Sequence, residues 1–187
     1  MNGDVGMVAS ALRPTGILRK IDNPTVELQQ LEMKAARTSG SARLFLLSRM
    51  AKLALWTGNP EKAGIYASEA LSLVLAPQID HFNVSGQAIH DANMVAGLLA
   101  LHRGDLTQAR QHLLASSRTR GSRELGGLGP NLTLADELLK RGEREVVMQY
   151  LDQARSFWSG GKQLLDKWIN QIRSGETPEV DVLLLTP

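Results

Sequence analysis

The sequence predicts an all-α protein of about eight helices, arranged as antiparallel pairs. Alanine and leucine dominate the apolar residues and only 4% of the chain is aromatic, a composition that favours helices. Apolar residues recur at helical spacing along most of the chain, and we find no convincing strand pattern. Three segments share a turn glycine that is followed five residues later by a small apolar residue. They are GNPEKAGIYASEAL (58–71), GDLTQARQHLLASS (104–117) and GEREVVMQYLDQAR (142–155).

The helices before the first repeated glycine are predicted from capping residues and apolar spacing. Residues 1–22 contain glycines and a proline without sustained periodicity, so we expect an irregular arm there. Asn23 is a good helix cap, and the proline that follows needs no amide partner at the first helical position. A first helix should therefore cover 23–38. Ser41 is the expected cap of a second helix, which extends through Leu55.

Six further helices are predicted after Gly58. Pro60 suits the first turn of the next helix, and each later glycine of the repeated segments separates one helix from another. The tail after residue 175 ends in the apolar VDVLLLTP, which either folds back on the last helix or joins a neighbouring chain. The expected helices are the one that carries Ala63 to Val74, then 86–102, 106–117 and 132–140, the one whose apolar stripe carries Val147, Tyr150, Leu151, Ala154 and Trp158, and 161–173.

A helix, a turn glycine and a small residue five positions later resemble the tetratricopeptide repeat (TPR), a paired-helix unit. The resemblance covers roughly residues 44–158 and implies that the pairs stack as a right-handed superhelix. The glycines at 58, 104 and 142 depart from the family's spacing of about 34 residues, which implies insertions near 76–86 and 121–130. Small residues stand where helices would approach closely, namely Ala51, Gly97, Ala135, Ala63, Ala109, Val147, Ala70, Ser116 and Ala154.

The resemblance also predicts the domain organisation. Residues 129–158 are in addition similar to a segment of uncharacterised bacterial helical-repeat proteins, which implies no particular activity. We expect one TPR-like domain over residues 23–175, followed by the tail at 176–187. Within it, the expected elements are repeat units at about 44–76, 87–118 and 131–158 and a capping helix at 161–173.

The TPR resemblance implies a concave face that is lined by the first helix of each pair. A groove with mixed apolar and charged residues suits an extended peptide or a partner helix. The main functional prediction is therefore a non-catalytic protein-binding scaffold without a cofactor or metal, and a homodimer is a further expectation. The predicted partner-binding groove consists of Lys52, Trp56, Asp91, Met94, His102, Asp136 and Lys140.

Two other functions stay open as alternatives. His81, His90 and Asp91 could contribute to a metal-dependent hydrolase, although no fourth ligand has helical spacing from the His90-Asp91 pair. The loop from Arg118 to Arg123 could hold phosphate or RNA, but its arginines have no aromatic residues between them. The net charge of +2 is too small to indicate a nucleic-acid partner.

The composition and the N-terminal residues favour a cytoplasmic protein. The chain has no cysteine, which excludes disulfides, thiolate metal sites and a cysteine nucleophile. Residues 1–12 lack the basic residues of a signal peptide, and no apolar run approaches 18 residues. We therefore expect no membrane partner and a cytoplasmic location, unless an export segment precedes this sequence.

Overall fold

The computed structural model describes residues 23–75 and 84–179, and these residues are all-α. They form nine α-helices and one 3₁₀ turn at Ser159–Gly161, which confirms the predicted fold class. The predicted arm, residues 76–83 and residues 180–187 of the tail lie outside the described residues. The helices are α1 (Pro24–Ala35), α2 (Gly40–Trp56), α3 (Pro60–Val74), α4 (Val84–His102), α5 (Leu106–Ser116), α6 (Arg123–Gly127), α7 (Thr133–Lys140), α8 (Arg144–Ala154) and α9 (Lys162–Arg173).

Several predicted helix boundaries need correction. The N-cap of α2 is Ser39 rather than Ser41, so this helix begins earlier than expected. Helix α8 ends at Ala154, which places Trp158 beyond the helix rather than on its apolar stripe. Helix α6 lies inside the predicted 121–130 insertion. Its first turn is stabilised by Ser122, whose Oγ accepts a hydrogen bond from the Leu125 amide at 3.0 Å.

The repeated glycines end their helices in one common turn. Gly58 has φ +77°, its amide donates to the Leu55 carbonyl, and the Asn59 amide donates to the Ala54 carbonyl. This pair of hydrogen bonds is the Schellman motif, which uses a left-handed residue to satisfy the last carbonyls of a helix. Gly104 and Gly142 form the same two bonds. A fourth copy at Gly175, which the repeat pattern did not predict, ends α9.

Replacing Gly104 by alanine should lower the free energy of unfolding by about 1–2 kcal/mol, because alanine pays a steric cost at positive φ. No atom lies within 4 Å of an added Cβ at this position, so the loss would report backbone strain alone. Gly104→Asn should lose less, since asparagine tolerates the left-handed region better. Urea unfolding followed by circular dichroism measures both changes. Equal stability of the alanine variant and the wild type would contradict the turn geometry.

The predicted close-packing positions are all buried, as expected. Gly97 shows why a small residue is needed there: a Cβ would lie 2.2 Å from Leu134 Cδ2 and 3.2 Å from His112 Cβ. Helix α4 therefore approaches both α7 and α5 closely at this point. The other eight positions are at most 1% exposed, namely Ala51, Ala63, Ala70, Ala109, Ser116, Ala135, Val147 and Ala154.

Most helices that are adjacent along the chain pack on each other, and several also contact the equivalent helix of the next pair. Helix α2 contacts α3 and α4, α4 contacts α5 and α7, and α5 contacts α8. The buried apolar side chains of these pairs join those of α1 and α9 in one continuous cluster. In the part of the chain that the structure describes, no helix is both long and apolar enough to span a bilayer. The repeat family and the handedness of the stack stay predictions.

Candidate functional site

The seven predicted groove residues do not share one open surface. Lys52, Asp91 and Met94 are only 8%, 3% and 1% exposed, so the prediction that they face a partner-binding groove is wrong. They are buried because α2 and α4 pack directly on each other. Trp56 and Asp136 are half-buried, whereas His102 and Lys140 are exposed. The accessible part of the predicted groove is therefore limited to the ends of the helices.

Lys52 and Asp91 form a buried ion pair between α2 and α4. The distance from Lys52 Nζ to Asp91 Oδ2 is 2.7 Å. The other oxygen, Oδ1, accepts a hydrogen bond from Gln87 Nε2 at 3.0 Å and lies 3.3 Å from His90 Nδ1. Each carboxylate oxygen thus has a donor, which is the condition for burying a charge without a large penalty.

The polar cluster continues from Asp91 to other parts of the chain. His90 Nε2 lies 3.3 Å from the hydroxyl of Tyr150 on α8. If Nδ1 donates to the carboxylate, Nε2 is the acceptor of the Tyr150 hydroxyl proton. On the other side, Ser122 Oγ donates to Gln87 Oε1 at 2.8 Å. We call Lys52, Gln87, His90, Asp91, Ser122 and Tyr150 the buried polar cluster.

The buried polar cluster controls the protonation of its two acidic members. Burial alone would raise the pKa of Asp91, but the Lys52 charge and the hydrogen bond from His90 outweigh it. The net effect is a pKa well below the ordinary value for this carboxyl group, so Asp91 is ionised. Burial raises the pKa of Tyr150, and the Asp91 charge adds to the increase. Tyr150 is therefore a neutral hydrogen-bond donor at physiological pH.

This arrangement suits structure better than catalysis. His90 and Tyr150 are fully buried, so a substrate would have no access to them in this structure. The residues at 23–75 and 84–179 contain no group of three or more carboxylate and imidazole ligands that could hold a metal ion. His81, the third residue of the predicted metal alternative, lies outside the described residues. The His90-Asp91 pair instead connects α2, α4 and α8.

Sequence reasoning missed three members of the buried polar cluster. Tyr150 was assigned to an apolar stripe, and Gln87 and Ser122 were assigned to a helix and an insertion without a role. The sequence gives little indication of their role, because the three residues are far apart in the chain and residues of these types are common on protein surfaces. Only the packing of the loop before α6 against the start of α4 brings Ser122 to Gln87.

Three predicted groove residues occupy the same place in successive repeats. Trp56, His102 and Lys140 each lie two residues before a turn glycine, and each is the last residue of its helix. Lys140 forms an exposed ion pair with Asp136, with 2.7 Å between Nζ and Oδ2. We call Trp56, His102 and Lys140 the helix-end row. It is the accessible remainder of the predicted groove.

The arginine loop is exposed and well anchored. Thr119 Oγ1 donates to the Gly86 carbonyl at 3.1 Å and accepts from the Gly121 amide at 3.0 Å. Arg118, Arg120 and Arg123 are exposed, and within the described residues no carboxylate forms an ion pair with them. Residues 118–123 contain no aromatic side chain on which a base could stack.

A surface cleft lies elsewhere, between α8 and α9. Its volume is about 890 Å³. Its apolar lining comes from Val146 and Met148 on α8 and from Ile169 on α9. None of the seven predicted groove residues contributes to it. The charged and polar lining residues are Glu145, Gln149, Asp152, Arg155, Asp166, Asn170 and Arg173.

Comparison with known proteins adds no family to this description. The chain matches no protein-family model, and no curated protein or solved structure matches it either. A function for the chain therefore rests on its own surfaces and contacts, of which the helix-end row is the part that the repeat pattern predicted.

Proposed function

We propose that this chain is a non-catalytic scaffold of the TPR type that binds a segment of another protein along the helix-end row. The observation that carries the proposal is the repetition of one accessible position at the end of α2, α4 and α7. Repeat proteins recognise extended partners through equivalent positions of successive units. The proposed binding surface therefore lies at the C-terminal ends of these helices rather than along their faces.

The buried polar cluster supports a scaffold rather than an enzyme. The only histidine and carboxylate of the predicted hydrolase alternative that the structure describes are His90 and Asp91. Both are occupied by partners within the fold, and both are at most 3% exposed. Groups that are fully hydrogen-bonded inside a core hold helices in one register but do not meet a substrate.

The chemistry of the row indicates what kind of segment would bind. Trp56 is half-buried, so part of a large apolar ring is accessible, and rings of this type anchor many protein interfaces. His102 and Lys140 offer donors. Lys140 is exposed, and its ion pairs with Asp136 and Glu137 on the same helix are of the kind that contributes little and can exchange for a partner carboxylate. A segment with an apolar side chain followed by an acidic one is the expected ligand.

Reversing the charge of the row should weaken partner capture. We expect His102→Glu combined with Lys140→Glu to reduce the recovery of wild-type partners from native lysate at least tenfold, because an acidic segment would be repelled. Gln163→Glu combined with Lys167→Glu, at two exposed positions of α9, makes the same change of charge and is the matched control. Quantitative mass spectrometry of the captured proteins gives the ratio. Identical partner sets for the row variant and the control would exclude the helix-end row as the binding surface.

A further inference from the structure

The two ends of the helix stack are built differently, and the first end is α1. Helix α1 starts with Asn-Pro, as does α3, and in both the asparagine side chain accepts from the amide three residues later at 3.1 Å. It packs on α2 as α3 packs on α4. Ion pairs Glu27–Arg49 and Glu32–Lys62 attach it to the first helix pair. Helix α1 therefore resembles the second helix of a pair.

The opposite end is α9, which resembles the first helix of a pair. It ends in the fourth Schellman turn, at Gly175, and it contacts α8, the helix before it, as α4 contacts α3. Arg144, at the start of α8, donates to the carbonyls of Ile172 and Glu176, so α8 and α9 are antiparallel. Among the described residues, no second helix follows α9.

The cleft between α8 and α9 has a cause in the repeat. At the equivalent place between α3 and α4, Gly64 lies close to Leu99. A Cβ added at Gly64 would lie 3.5 Å from Leu99 Cδ1. In the last unit the same two positions, counted from the turn glycines, are Met148 and Asn170. A methionine side chain needs more space than the glycine of the first unit, which favours a wider separation of α8 and α9. The apolar surface of the cleft comes mainly from the half-buried Val146 and Met148 on α8, since Ile169 on α9 is only 6% exposed.

Charge is distributed unevenly along this cleft. Asp152 and Asp166 both pair with Arg155, so the residues that line this end of the cleft carry an excess of one negative charge, with Lys162 and Lys167 on α9 outside the lining. At the other end of the cleft, Glu145 and Arg173 balance each other in number. A ligand helix should therefore have apolar residues along its length and a basic residue at the end that meets Asp152 and Asp166.

The outer face of α1 matches these requirements. Val26 is 43% exposed and Met33 is 65% exposed, and their spacing of two helical turns puts them on one face. Lys34 and Arg37 are exposed at the C-terminal end of the same helix. If α1 lay antiparallel to α9, as the second helix of a pair does, these two cations would lie beside the Asp152–Asp166 end.

We propose that copies of this chain associate head to tail, with α1 of one copy in the α8–α9 cleft of the next. Val26 and Met33 would cover Val146, Met148 and Ile169, and the basic end of α1 would meet the acidic end of the cleft. The contact uses two different surfaces, so it is heterologous and can extend beyond a dimer. It does not involve the helix-end row and is independent of the proposed function.

The association should be weak. Stable interfaces bury about 800 Å² on each partner, and one helix of this length in a cleft covers less. We expect a dissociation constant on the order of 10–100 μM, with species that grow as the concentration rises. Sedimentation velocity of the full chain from about 5 μM to about 500 μM spans this range.

Two variants and their mixture test the proposal. Met33→Glu blocks the α1 surface, and Met148→Glu blocks the cleft. Each variant alone should sediment as a monomer at all concentrations. Their equimolar mixture should form a dimer and nothing larger, since the intact α1 of the Met148 variant can enter the intact cleft of the Met33 variant. Circular dichroism checks the fold of both. Gln149→Trp, at an exposed position of the cleft, replaces Met148→Glu if that variant unfolds.

Three results would overturn the proposal. A wild-type monomer at every concentration would leave the cleft to another occupant, such as residues 180–187 of the same chain. Self-association of Met33→Glu would show that α1 is not the contact surface. A mixture that stays monomeric, although each variant has lost self-association, would show that the contact is symmetric rather than head to tail.

Discussion

Replacing Lys52 by methionine should lower the free energy of unfolding by about 3–5 kcal/mol at pH 7, because it leaves the buried Asp91 carboxylate without its cation. Asp91 is 3% exposed, and its remaining donors are Gln87 and His90. Hydrogen bonds of this kind do not replace a full positive charge at 2.7 Å. Urea unfolding, followed by circular dichroism, measures the loss.

The double variant Lys52→Met with Asp91→Asn is the matched control. It removes both charges and keeps an oxygen that can accept from Gln87 and His90, so it should recover more than half of the loss. Lys62→Met, at a partly exposed ion pair between α1 and α3 whose Glu32 keeps a hydrogen bond from Tyr66, should cost about 1 kcal/mol or less. If the double variant were as unstable as the single one, the loss would come from methionine packing rather than from an unpaired charge.

The deficit of Lys52→Met should shrink as the pH falls. In the wild type, the lowered pKa of Asp91 contributes stability that is fully present above the ordinary value of 3.8 and is lost below it. Without Lys52, burial raises the pKa of Asp91 instead. The variant therefore no longer has an unpaired buried charge once this carboxyl group binds a proton. The difference in unfolding free energy between wild type and variant should therefore be smaller at pH 3.5 than at pH 7.

Local patterns in the sequence were sufficient to predict eight of the helices. Capping by Asn23, breaks at the repeated glycines and apolar spacing depend on residues only a few positions apart, and all eight predicted helices exist. The one helix among the described residues that was not predicted is α6. It is five residues long and contains two glycines, which have a low helix propensity. Its stability comes from Ser122 and from packing against the 3₁₀ turn, which no local pattern contains.

The candidate site was less predictable because exposure depends on how helices pack on one another. The repeat pattern correctly placed Trp56, His102 and Lys140 at helix ends, where few neighbours can cover them. The repeat pattern could not show that Lys52 and Asp91 form an ion pair. An ion pair across two helices requires the offset between α2 and α4, and that offset is set by the close contacts of the whole stack rather than by either residue.

Gly86→Ala should be among the most destabilising substitutions in the chain. A Cβ at this position would lie 1.9 Å from the carbonyl oxygen of Gly121 and 2.9 Å from Thr119 Oγ1. The first clash is with backbone, so it cannot be relieved by rotating a side chain. The loop would have to move, and the hydrogen bond from Thr119 Oγ1 to the Gly86 carbonyl would be lost with it. We expect a loss of about 3 kcal/mol or more in unfolding free energy.

Two further glycines serve as controls for the same experiment. At Gly97 the nearest atom is a methyl group of Leu134, which can shift, so Gly97→Ala should cost about 1–3 kcal/mol. At Gly127 no atom lies within 4 Å of the added Cβ, and alanine should change stability by less than about 0.5 kcal/mol. The repeat pattern marks only Gly97 as a close contact, whereas the structure ranks Gly86 above it. Equal stability of the Gly86 and Gly127 variants would refute that ranking and, with it, the anchoring of the arginine loop on α4.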